Sequence, residues 1–284
     1  MAINDPLVPE LLLRDGGEWA PVTTGESAAR VFHDRTRGRY AKLVRAEEVE
    51  ELAAERDRIA WLGQTDIPAA DVLDWNVTGE GACLVTRAVA GVSADQLDRE
   101  TLWRAWPAIA TLVSQLHALP AASCPFDRGL GEMMPLARTT VAQGQVQPEF
   151  LPVELQRVPP ATILRRLEDD LPQRRSQERD GLVVCHGDLC LPNLLIDPET
   201  LEVSGLIDLG RLGTADPYAD IALLLANARE TWLDEPTACR ADRRFAEHYG
   251  IDLDAARQRF YLLLDPLTWP LSPASDATPG EDEG

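Results

Sequence analysis

A chain of 284 residues that is 45% hydrophobic has enough apolar material for more than one packed lobe, and 27 basic against 47 acidic residues give it a net charge of −20. That surface repels nucleic acid and anionic lipid and attracts cations. No run of about 18 apolar residues occurs, which excludes a membrane-spanning helix, and five irregularly spaced cysteines suit a reducing cytoplasm better than a disulfide framework.

The opening MAINDPLVPE, with two acids and no basic residue, does not read as a signal peptide. Residues 18–34 read as two strands around a turn at Gly25, and 38–45 as a third strand from the alternation of Tyr40, Lys42 and Val44. Residues 46–63 read as a helix, with Val49, Leu52, Ile59 and Leu62 at helical spacing and Gly63 as a stop. Residues 82–91 read as a strand running into a connector. A helix near 101–118 follows, with Leu102, Trp106, Ile109, Val113 and Leu116 on one face and Asp98 as its N-cap.

Residues 120–160 bear prolines and no periodic pattern that assigns an element. A helix is expected over 161–171, then strands at 182–185, 193–197 and 203–209, the last two joined by a DPET turn at 197–200. Helices return at about 217–232, 240–249 and 254–264, and an acidic tail, 271–284, is expected to be disordered. The order predicts an α+β, bilobal fold. A small β-rich lobe spans 1–90 with a hinge at about 86–92, and a larger, mainly helical lobe spans 93–270. The cleft between lobes is the expected ligand site.

The stretch VVCHGDLCLPN, 183–193, ends a predicted strand on Asp188 and places Asn193 five positions later; Asp208 ends the next strand but one. Any one of these alone is explained by a turn or a cap. All three in order, with strands side by side, would bring three oxygen-bearing side chains to one edge. A carboxylate and an amide oxygen are hard ligands suited to Mg²⁺, and a second carboxylate can take a proton from an alcohol. The spacing matches the protein-kinase arrangement of catalytic Asp, Asn and metal-binding Asp. That chemistry also needs a lysine on the phosphates and a helical glutamate to hold it. Lys42, mid-strand, and Glu55, between Leu52 and Ile59, are the candidates. Gly25 and Ser27 form only a minimal phosphate loop. Cys185 and Cys190 flank the motif, but with a single His between them they make a poor zinc site.

The segments VVCHGDLCLPNLLID and GLIDLGRLGTADPYADIALL resemble the catalytic and metal loops of the aminoglycoside phosphotransferase family, which shares the protein-kinase fold. CPFDRGL at 124–130 and YLLLDPLTW at 261–269 bring the chain nearest the branch that acts on the 3″-hydroxyl of streptomycin, and the resemblance spans roughly residues 15–270. It implies ATP as donor, with GTP left open, and two Mg²⁺ at Asn193 and Asp208. Asp188 would orient and deprotonate the acceptor hydroxyl, and Arg211 would buttress the loop or neutralise phosphate charge. Lys42, held by Glu55, would meet the α- and β-phosphates, and the backbone around Arg87 and Val89 would meet adenine. His186 would support the loop, Asp220 would be the structural acid beneath it, and Asp216 a cap. Asp265 and Glu230 would face the ammonium or guanidinium groups of a small cationic antibiotic. The charge, the cysteines and the lack of an apolar span lead us to expect a cytoplasmic protein with no nucleic-acid or membrane partner, and a monomer is expected. Two readings stay beside this one: a kinase of the same fold acting on another hydroxylated small molecule, and a non-catalytic nucleotide-binding module.

Overall fold

The small lobe is built on strands β1 (Trp19–Val22), β2 (Arg30–Asp34) and β3 (Arg39–Arg45), helix α1 (Val49–Leu62), then β4 (Val72–Val77) and β5 (Gly81–Arg87). A computed structural model describes residues 17–22 and 29–269; Gly25, Ser27 and the tail 271–284 lie outside the described residues. The five strands form one sheet in the order β1-β2-β3-β5-β4, antiparallel throughout. β4 is not signalled by the sequence, since Asp74 and Asn76 interrupt its apolar pattern and its register against β5 shifts between Val72 and Asp74.

Strand alternation decides where Lys42 goes. Ala41 and Leu43 pack with Phe32, Cys83 and Val85 in a small cluster on one face. Lys42 and Val44 therefore share the other face, where Val44 and Leu84 join Leu52, Ile59 and Leu62 of α1 in the main core. The buried stripe of α1 is Leu52, Glu55, Ile59 and Leu62, so Glu55 is the one charged residue on the face packed against the sheet.

The larger part contains β6 (Val92–Ser93), α2 (Arg99–His117), α3 (Leu130–Ala142), α4 (Pro160–Asp180), β7 (Val183–Cys185), β8 (Leu194–Ile196), β9 (Val203–Leu206), β10 (Gly213–Ala215), α5 (Tyr218–Arg229), α6 (Glu235–Tyr249) and α7 (Ala255–Leu264). Asp98 caps α2 by accepting the Thr101 N–H at 2.8 Å, and the predicted stripe from Leu102 to Leu116 is buried. α3 lies within the segment that shows no legible element. Leu130, Met133, Met134, Ala137 and Thr140 form its buried stripe, but Gly131 and an internal Pro135 mask the pattern. α4 is longer than 161–171 because Arg174 continues the buried stripe of Ile163, Leu167 and Leu171 past Pro172. α6 starts at Glu235, not at about 240, because Asp234 accepts the Thr237 N–H at 2.8 Å.

One expectation about strand order is corrected. β7 does not lie beside β8 and β9. It pairs with β10, while β8 sits between β6 and β9. The reason is the chain reversal at 207–212, which returns β10 antiparallel to β7 and seats Gly213 against the backbone of Asp127 and Arg128. The loops that follow β7 and β9, rather than a continuous sheet edge, bring the functional residues together. All five cysteines are free thiols, and among the described residues no helix is long and apolar enough to cross a membrane.

Candidate active site

The loop after β7 rests on a buried carboxylate. Asp220, fully buried in the first turn of α5, accepts the backbone N–H of His186 at 2.7 Å and of Gly187 at 2.9 Å. Its Oδ2 also lies 3.1 Å from Nε2 of His117, whose other nitrogen is 2.7 Å from the Tyr249 hydroxyl. Burial pushes the Asp220 carboxyl up, but the His117 contact and the Gly187 N–H outweigh it, and the group is held below its ordinary value. Gly187 has φ +82°, and a Cβ there would come within 2.1 Å of the Arg211 carbonyl. Only glycine satisfies both constraints.

His186 ties this loop to the next. Its Nε2 meets the Ile207 carbonyl at 3.0 Å, and its Nδ1 faces the Asp188 N–H at 3.3 Å. A carbonyl only accepts and a backbone N–H only donates, so the partners assign the neutral ring with its proton on Nε2. Both nitrogens are then occupied in holding backbone.

Asn193 donates Nδ2–H to the Asp188 carbonyl at 2.8 Å and approaches the Asp188 carboxylate at 3.4 Å. Its own carbonyl accepts the Ile207 N–H at 3.1 Å. Burial raises the Asp188 carboxyl above its ordinary value; the Arg211 guanidinium pulls it back, and Asp265 and Asp208 push it further up. A carboxylate in that setting is a stronger base than one in water.

From the small lobe, Lys42 reaches across with Nζ 2.8 Å from Glu55 Oε2 and 3.3 Å from Asp208 Oδ1. Burial alone would lower the Lys42 ammonium, but the two carboxylates overcome it and hold it above its usual value. Burial raises Glu55 while Lys42 lowers it; at 2.8 Å from a fully charged ammonium, we read the pair as ionic. Asp208 has φ +58°, the left-handed region that few non-glycine residues occupy.

The donor set on this edge fits a magnesium ion. Asn193 spends its amide nitrogen on Asp188, and its amide oxygen accepts no hydrogen bond among the described residues. Asp208 is half exposed and has one oxygen toward Lys42, leaving the other without a hydrogen bond among the described residues. Two hard oxygen donors with room for water and phosphate oxygens are what Mg²⁺ takes.

Asp265 Oδ1 lies 3.5 Å from Arg211 Nη1 and 4.0 Å from Arg128 Nη2. The Trp269 indole N–H donates to Asp265 Oδ2 at 3.2 Å, and the Arg211 guanidinium stacks 3.4 Å above the Trp269 ring centroid. Arg128 is buried and donates to the Thr268 hydroxyl at 3.2 Å. Burial and Arg211 lower it to about 10, so it remains a cation. Nothing in the sequence singles out Arg128 or His117 except that Arg128 stands in the CPFDRGL segment.

Contacts thus join Lys42 to Glu55 and Asp208, Asn193 to Asp188, and Arg211 to Asp265, and the charges of Arg211, Asp265 and Asp208 all act on Asp188. Asp216 is fully buried, accepting the Tyr218 N–H at 2.9 Å and pairing with Arg257. Glu230 is not brought in: it is an exposed residue at the C-terminal end of α5, with no ion pair to the residues of the site among the described residues. At the end of β5, the Arg87 N–H is already committed to the Asp71 carbonyl at 2.9 Å, and its side chain pairs with Asp71 in solvent. Its amide cannot also serve a base. Val89, by contrast, has no backbone hydrogen bond among the described residues and lies over Gly205.

Residues 18–261 match the profile described as Phosphotransferase enzyme family. Over 254 residues the chain is 59% identical to the streptomycin 3″-kinase of Streptomyces griseus, covering 89% of this chain and 93% of that protein. It is 38% identical to an aminoglycoside 3′-phosphotransferase of Streptomyces fradiae over 87% of this chain and 94% of the other. Among solved structures, aminoglycoside phosphotransferase APH(3″)-Id from Streptomyces rimosus is similar with a TM-score of 0.88 at 52% identity, covering 93% of this chain and 96% of that one. The complex of that enzyme with ADP and streptomycin gives a TM-score of 0.86.

Proposed function

This chain belongs to the phosphotransferase enzyme family, and on that footing we propose that it transfers the γ-phosphoryl group of ATP to the 3″-hydroxyl of streptomycin, inactivating the antibiotic. The observation that carries the reading is the set of residues around Asp188. A base, a phosphate-binding cation and two oxygen ligands stand together in a chain this close to a streptomycin 3″-kinase.

The residues divide the work as follows. Asp188, raised by burial, orients the acceptor hydroxyl and takes its proton as the oxygen attacks. Lys42, kept charged and aimed by Glu55, binds the nucleotide phosphates. Asn193 and Asp208 would hold Mg²⁺, which when bound neutralises charge on the transferring phosphates. The Val89 backbone offers the adenine edge its hydrogen bonds. Asp265 supplies negative charge for a guanidinium of the substrate, and Arg211 either buttresses the loop or offsets phosphate charge. The acidic chain as a whole, at −20, draws a polycation toward the cleft. Free thiols throughout suit a cytoplasmic enzyme, which we take to act as a monomer.

The test is purified protein with Mg-ATP and a panel of acceptors: streptomycin, a second aminoglycoside, a macrolide and choline. ADP release with streptomycin, and a phosphorus–carbon coupling that places the phosphate at the 3″ position, is the expected result. Turnover of another acceptor with none on streptomycin overturns the substrate; turnover of none overturns the enzyme.

A further inference from the structure

Helix α1 makes a second contact with the loop that carries Asp208. Arg58 lies three residues after Glu55, on the same side of the helix. Its Nε–H donates to the Leu212 carbonyl at 2.8 Å, and its guanidinium stands 4.9 Å from the centre of the Phe126 ring. One turn on, the Trp61 indole N–H donates to the Ser123 carbonyl at 3.1 Å, and its ring meets Phe126 edge-on. The middle of the loop also packs on α1, since a Cβ on Gly210 would lie 3.7 Å from Glu55 Oε2.

The loop needs such support. Asp208 sits at φ +58°, and a non-glycine residue keeps a left-handed backbone only where the surroundings over-determine it. Upstream, Ile207 is held on both backbone groups, by the Asn193 carbonyl at 3.1 Å and by His186 at 3.0 Å. Downstream, Leu212 donates its N–H back to the Leu209 carbonyl at 3.0 Å and gives its carbonyl to Arg58. Asp208 is therefore bracketed, and the downstream bracket comes from the small lobe.

We propose that Arg58 is a positioning residue for the metal-side carboxylate. By holding the Leu212 carbonyl it keeps the left-handed turn at Asp208 closed, so that helix α1 aligns Lys42 through Glu55 and Asp208 through Arg58 at once. The proposal rests on the phosphotransferase reading. It assigns Arg58 no contact with nucleotide or antibiotic, and its effect is confined to ligands that engage Asp208.

Two substitutions separate the hydrogen bond from the charge. Arg58→Met keeps length and loses the donor; Arg58→Gln keeps an N–H donor and loses the charge. ADP affinity is measured by calorimetry with Mg²⁺ and again in EDTA, with streptomycin affinity and Tm alongside. Arg58→Met is expected to weaken ADP binding about tenfold with Mg²⁺, the size of one lost charge-assisted hydrogen bond. It should leave ADP in EDTA, and streptomycin, unchanged. Arg58→Gln is expected to retain the Mg-ADP affinity of the parent within about threefold on the same scale. Wild-type Mg-ADP affinity in Arg58→Met overturns the proposal. So does an equal loss with and without Mg²⁺, the signature of a merely structural role, or an Arg58→Gln as weak as Arg58→Met. Should Arg58→Met not fold, Arg58→Ala, which also lacks the donor, decides: it must lose ADP affinity only in the presence of Mg²⁺, and no Mg²⁺-specific loss overturns the proposal. A wild-type protein that does not bind Mg-ADP at all overturns the phosphotransferase reading instead.

Discussion

The Asp265 carboxylate stands 3.5 Å from Nη1 of Arg211, so this acid already faces a cation of the protein itself. A guanidinium of streptomycin that approaches Asp265 meets a carboxylate pre-oriented by the Trp269 indole N–H. Asp265→Asn keeps the shape and removes the charge. The KM for streptomycin should then rise about tenfold or more, the value of a lost charge-assisted contact, with the KM for ATP unchanged. Steady-state kinetics in both substrates checks this, and an unchanged KM for streptomycin removes Asp265 from substrate binding.

Asp188→Ala should lower kcat by at least about 10²-fold, the lower end for a lost general base. Nucleotide binding should survive, because Lys42, Asn193 and Asp208 remain. Calorimetry with Mg-ADP and a turnover assay on the same sample separate the two effects; near-normal turnover would contradict the role of base.

Lys42 joins Glu55 to Asp208, and Lys42→Met should cost about 10²-fold in kcat, as other losses of a phosphate- or oxyanion-binding donor do. It also leaves Glu55 buried without its counter-ion. A carboxyl whose folded value is raised favours the fold below its unfolded value of 4.5 and loses that advantage as the pH climbs. The stability deficit of Lys42→Met should therefore shrink as the solution is acidified toward pH 4.5, in urea unfolding followed across pH. A deficit independent of pH would mean that Glu55 is not a buried partner.

Asp220 is the opposite case. Its carboxyl is held below 3.8 in the fold, so its contribution is complete above pH 3.8 and is lost as the pH falls through the lower folded value. Asp220→Asn turns an amide N–H toward a backbone donor of His186 or Gly187 and should cost about 3–5 kcal/mol, as breaking a buried charged partnership does. The variant should also lose the wild-type acid dependence in that range. Urea unfolding of both proteins between pH 3 and 7 reads both effects, and parallel curves would exclude Asp220 as the titrating group.

Much of this site is legible along the chain because it is local. Asp188 and Asn193 lie five apart in one loop, and their hydrogen bond closes within it. Lys42 sits on an alternating strand and Glu55 on an i, i+3, i+4 stripe, so their faces follow from the periods 2 and 3.6. What failed to show had no local signal. Glycine and proline hid α3, and two acceptor-bearing residues hid β4. Arg128 and Arg58 are single arginines in a chain with many, and their importance lies in partners at Thr268 and Leu212, far away in sequence. Glu230 was chosen by motif position, and the fold leaves it in solvent.

The sequence by itself determined the fold class, the family resemblance and the chemistry of the loop residues, because period, turn and spacing act between near neighbours. Only the tertiary structure decided that β7 pairs with β10 rather than β8. It also decided that Arg87 has no amide to offer, and that Asp208 is held in a left-handed turn between Asn193, His186 and Arg58. Those outcomes depend on which donor meets which carbonyl between segments that are not neighbours in sequence, 16 residues apart for Arg87 and Asp71 and 154 for Arg58 and Leu212. No local pattern encodes that choice; packing makes it, by leaving one arrangement in which the buried polar groups are paired.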